Sequence, residues 1–227
     1  MSTSGAVHLT AGGAITATGA GSIDVAAASL AAHAGGSIGT GAVLLETDIG
    51  SISATSGTGG IFVQEKDAIT VQGLAASGTG ALVLRAGGSL TPAGAASGNG
   101  NLLLQAQSGT LSLQAGVAAG GNLSLLASGN ITLGADAAVT AGGTADLSTG
   151  GGSIAMDQAS SVTAQGDLRL YGDGSVSLSS LVAGGDVSVT AADGSIDNGG
   201  RLGDSIRAAG VRLVAGLGLG SAAAPCR

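Results

Sequence analysis

The sequence predicts an all-β fold, a right-handed parallel β-helix of about nine to eleven coils with roughly 20 residues in each. Three observations carry this reading. A glycine returns ahead of an alternating apolar stretch at Gly41, Gly60, Gly80, Gly100, Gly121, Gly143, Gly166, Gly185 and Gly210, at spacings of 19 to 25 residues. A second mark follows each of the first eight by eight or nine residues, at Gly50, Ala68, Gly88, Gly109, Gly129, Gly152, Gly174 and Gly194, usually with Ser, Thr or Asn next. Within the stretches apolar residues alternate with small or polar ones, as at Leu102 and Leu104, Leu123 and Leu125, and Val187 and Val189. That period of two belongs to a half-buried strand.

Taken in order, residues 1–40 read as irregular first coils, with AVHLTAGGAIT and GSIDVAAASLAAHAGGSIG fitting the pattern loosely. Residues 41–220 read as regular coils, each a strand, a glycine turn, a second strand, a variable loop, a short third stretch and another turn. The third stretches include Leu74 to Ala76, Val117 to Ala119, Val139 to Ala141, Val162 to Ala164 and Ile206 to Ala208. They are so short that two or three strands per coil both fit. Residues 221–227 form a tail, and the whole of 1–227 reads as one domain. A unit of this size cannot bury its apolar face alone, whereas coiling pairs each strand with its copy one turn later. Parallel crossovers set the right-handed sense.

Composition narrows the function classes. The 227 residues include one Phe, one Tyr and no Trp, so an aromatic-anchored core is excluded. Gly supplies 45 residues, yet 44% of the chain is hydrophobic, which disfavours a flexible linker. The net charge of -7 and seven scattered Lys and Arg oppose a nucleic-acid partner. No stretch approaches the roughly 18 apolar residues of a membrane-spanning helix. MSTSGAVHLT lacks the basic head and apolar run of a signal peptide, so any export signal is expected outside this chain. Cys226 has no intramolecular partner, which rules out an internal disulfide and reads as incidental.

Phrases such as AGGNLSLLASGNITLGADAAVTAGG, residues 119–143, resemble the repeat regions of bacterial filamentous haemagglutinin-like exoproteins, the large adhesins secreted by the two-partner route. The resemblance runs from about Gly5 to Gly220. It implies a secreted or cell-surface rod that holds other parts of an adhesin away from the cell, and sometimes binds host or neighbouring-cell surfaces itself. The Asn-Pro-Asn-Leu type motif of the family's secretion domain is absent, Pro92 and Pro225 being the only prolines. An internal or C-terminal segment is therefore expected.

A catalytic site is not expected. Polysaccharide hydrolases on this fold would carry paired aspartates and a Gly-His-Gly stretch, whereas the two histidines, His8 and His33, stand in AVHLT and AAHAGG. His8 falls on a predicted strand and His33 in a loop, and both read as structural. A carbohydrate-binding or carbohydrate-active β-helix is the alternative, poorly served by one Tyr and one Phe. An ice-binding solenoid would need regular Thr columns, and Thr is scattered.

Two pairs of aspartates take equivalent places in adjacent coils, Asp173 with Asp193 and Asp167 with Asp186. Carboxylates stacked about 5 Å apart repel unless a proton, a cation or a guanidinium such as that of Arg169 intervenes. Asp173 and Asp193 are thus the weak metal candidates, against an ordinary reading as exposed turn residues, and no cofactor is expected. Asn101 and Asn122 share a column in which amides can hydrogen-bond along the rod. The QEKDA cluster, with Glu65, Lys66 and Asp67, reads as a solvated loop or strand edge. Unpaired strand edges at the ends and the apolar VRLVAGLGLG segment predict end-to-end self-association.

Overall fold

A computed structural model describes residues 1–17, 19, 21–200 and 204–220. Cys226, Pro225 and the 221–227 tail lie outside the described residues. The chain forms a parallel β-solenoid of about 10 turns, with roughly 22 residues per turn and no helix among the described residues. All pairings between its strands are parallel, because each coil meets its copy running the same way.

From Ile61 onward three rows of strands stack. The first row runs through Ile61–Glu65, Leu82–Ala86, Leu102–Ala106, Leu123–Ala127, Ala145–Thr149, Leu168–Gly172, Val187–Ala191 and Val211–Ala215. The second includes Leu90–Pro92, Leu111–Leu113, Ile131–Leu133 and Ile154–Met156, and the third Ala96–Gly98, Val117–Ala119, Ala138–Ala141 and Ser161–Ala164. The short third stretches are therefore true strands, and a coil has three. In the earlier coils the rows run together: Ile69–Ala76 spans the second and third rows, Leu45–Ser56 pairs with both Ile61–Glu65 of the first row and Ile69–Ala76, and Val25–Ala34 lies between Leu45–Ser56 and Ala6–Ala11.

Register makes the core. Leu82 pairs Leu102, Leu102 pairs Leu123, Leu123 pairs Ala145, Ala145 pairs Leu168 and Leu168 pairs Val187. Side chains two residues apart point the same way, so Leu84, Leu104, Leu125, Leu147 and Leu170 form a second interior column, each essentially unexposed. At the end of the first row the inward position is small, as Ala86, Ala106, Ala127 and Ala191, and the chain turns its corner there. Apolar burial and the hydrogen-bond ladder thus replace the missing aromatic core.

One expected boundary moves. Gly41 was to open a coil with AVLLE as its strand, but Ile38 bridges Ile61 and the strand begins only at Leu45. The intervening residues form a lateral turn closed by Thr40, whose N–H donates to the Val43 carbonyl at 2.8 Å. A flanking apolar run imitates a strand start when a loop happens to be apolar.

Candidate functional site

In several coils the residue that follows a glycine mark is polar and acts along the rod. After the first mark, the Asn122 N–H donates to Asn101 Oδ1 at 2.9 Å, Thr144 N–H to Asn122 Oδ1 at 3.0 Å, and Asp186 N–H to Asp167 Oδ1 at 2.9 Å. After the second, Thr110 N–H donates to Ser89 Oγ, Ser153 N–H to Asn130 Oδ1, Ser175 N–H to Ser153 Oγ and Ser195 N–H to Ser175 Oγ, at 2.8 to 3.2 Å. At these corners a side-chain oxygen of one coil accepts the backbone donor of the next. The expected amide-to-amide ladder of Asn101 and Asn122 is accordingly an amide-to-backbone ladder.

The preceding glycine follows from the same geometry. A Cβ at Gly143 would fall on Asn122 Oδ1, and one at Gly185 on Asp167 Oδ1. The recurring Gly-Asn or Gly-Asp is one device, in which the oxygen occupies the space the next coil's glycine leaves free.

This resolves the repulsion expected between Asp167 and Asp186, since the Asp167 carboxylate accepts a hydrogen bond from the Asp186 backbone. Arg169 does not serve that pair. Its Nε and Nη2 donate to Asp146 Oδ1 and Oδ2 at 2.8 and 3.0 Å, one coil earlier on the outer face of the first row. Asp146 holds the guanidinium above the ordinary arginine value through that hydrogen bond. Because the pair is half exposed, Asp146→Ala is expected to lower stability by at most about 1 kcal/mol in a denaturant titration.

Asp173 and Asp193 do stack, the Asp193 N–H donating to the Asp173 carbonyl at 2.8 Å. Asp173 is half-buried and Asp193 exposed. Among the described residues neither belongs to a group of three or more metal-ligating side chains. The group that does gather is Asp48, Glu65 and Asp67, with carboxylate oxygens within 4.8 Å of one another.

Here the reading of QEKDA as solvated holds for Lys66 and Asp67, which are exposed, but not for Glu65. Glu65 is fully buried, at 0% exposure. Counting by twos from Ile61 and Val63 turns residue 65 inward, a signal that the charge of the cluster obscured. Thr47 Oγ1 donates to Glu65 Oε2 at 2.5 Å and the Ile49 N–H donates to Oε1 at 3.0 Å. Burial pushes the Glu65 carboxyl above the usual glutamate value, and those hydrogen bonds oppose the rise without cancelling it. Beside it Lys66 Nζ contacts Asp48 Oδ2 at 2.6 Å, outside the coil. Glu65 and Lys66 thus tie this corner to the preceding coil through Thr47, Ile49 and Asp48.

No family model, curated protein or solved structure matches the chain.

Proposed function

We propose that the chain is a structural and adhesive rod segment of a secreted or surface-exposed bacterial exoprotein, and is not an enzyme. The observation that carries this reading is the continuity of the interior columns, which extend through successive coils with polar ladders at the corners. Such a stack transmits length and stiffness, since each coil is held by its two neighbours. Its loops and outer faces are where host or neighbouring-cell surface molecules would bind. The resemblance of residues 5–220 to filamentous haemagglutinin-like repeats supports the same reading.

The test is the native product. An antibody to this segment should detect, in culture medium and outer-membrane fractions of the source cells, a band many times larger than 20.8 kDa. A band of about that mass confined to the cell interior would overturn the proposal.

The last coil supplies a further expectation. Val211 and Leu219 are 54% and 55% exposed, whereas the residues beneath them, Val187 and Ile196, are 1% and 0% exposed. An open rung of an apolar column favours a further coil over water. The 227-residue chain is therefore expected to associate end to end, with a sedimentation coefficient that rises with concentration. A constant monomeric value up to millimolar protein would count against this.

A further inference from the structure

We infer that His8 and His33 together form a binding site for a divalent transition-metal ion, of the zinc, nickel or copper class. They are the only two histidines in the chain, 25 residues apart, and the solenoid brings them to adjacent coils. His8 pairs with Ala31, and His33 lies two residues further along that strand. Both imidazoles therefore leave the same outer face, from diagonal positions roughly 8 Å apart at Cα by strand spacing and rise. Two imidazoles on such a diagonal can converge on one ion, each with a metal–nitrogen bond of about 2.0–2.1 Å.

The surroundings suit that use. Ala31 and Thr10, on the opposite diagonal, carry short side chains, and both histidines line one hollow of about 260 Å3 with Ser53 and Thr55. His33 Nδ1 lies 2.6 Å from Thr55 Oγ1. With the Nδ1–H donating to that hydroxyl, Nε2 on the far side of the ring keeps its lone pair, and the ring orientation is held. The site thus has two nitrogen ligands, one of them buttressed, with water completing the coordination.

No carboxylate lines the hollow. Calcium and magnesium, which require several oxygen ligands, are accordingly refused, and imidazole selects the borderline transition ions. His8 stands on Ala6–Ala11 as expected, and His33, expected in a loop, lies on the strand Val25–Ala34, so the bound ion staples the first coil to the second. Binding to the folded state alone stabilises it by mass action. This inference is independent of the adhesive reading.

The experiment is a calorimetric titration of the 227-residue protein with zinc ion alone, repeated with calcium ion. One zinc per chain and no calcium binding are expected. His8→Ala and His33→Ala should each weaken zinc binding at least tenfold, and Thr55→Val by about tenfold through loss of the buttress. Asp48→Asn should leave it unchanged, which separates this site from the acidic group at Asp48, Glu65 and Asp67. In proton NMR the ring resonances of both histidines should shift together with added zinc. Both histidines are exposed, so their variants should keep the wild-type circular dichroism. Absence of saturable binding at millimolar zinc, or wild-type affinity in the double variant, would overturn the assignment.

Discussion

Glu65→Ala is expected to destabilise the solenoid by about 3 kcal/mol, read as a shift in the midpoint of chemical denaturation. The substitution leaves the Ile49 N–H without its acceptor and removes the partner of the Thr47 hydroxyl. It also empties the space the carboxylate fills. Glu65→Gln should recover most of the loss, because an amide can accept from Ile49 through its oxygen and donate to Thr47 through its nitrogen. The pH dependence separates the two variants from the parent. Since the folded-state value of Glu65 lies above its unfolded value, the folded chain binds more protons in the window between them. The stability contributed at this residue therefore falls as pH rises from the ordinary glutamate value to the raised one, and is level above. Both variants should lack that fall. A pH profile identical in parent and Glu65→Gln would refute the buried-carboxylate account.

Gly143→Ala is expected to cost about 1–2 kcal/mol, because the new methyl must push aside the amide end of the Asn122 side chain and break the hydrogen bond it accepts from Thr144 N–H. Gly143 does not have a positive φ, so the cost is steric: the new methyl takes the position of Asn122 Oδ1. Asn122→Ala alone should cost about 1 kcal/mol, through loss of the hydrogen bond from Thr144 N–H. In the double variant the methyl enters space that the amide has vacated. The two losses should then be less than additive, with a coupling of at least about 1 kcal/mol. Strict additivity would show that Gly143 is required for some reason other than its neighbour one coil below.

The interior columns were legible because they depend on local chemistry. Leu102 and Leu104 announce a strand face by period two, and the Gly-Asn step at Gly121 and Asn122 announces a corner. The corner steps recur in phase, so Gly88, Gly109, Gly129, Gly152, Gly174 and Gly194 stack in one line, as the registers around Leu90, Leu111, Ile131, Ile154, Val176 and Ile196 require. Gly41 misled because an apolar loop carries the same local pattern as a strand. Glu65 was hidden because the charge of QEKDA masks the alternation that turns residue 65 inward.

By itself, then, the sequence determined the strand faces, the corners, the parallel stack and the burial of the Leu, Ile and Val columns, all of which follow from alternation and repeat spacing. Only the tertiary structure decided which side chains meet across coils: Arg169 with Asp146 and not with Asp167, Asn101 with a backbone donor, and His8 beside His33. The physical reason is that coil length varies with every corner. A difference of one or two residues in a loop shifts which side chains lie above one another, and that sum is settled by the ladder of the whole stack.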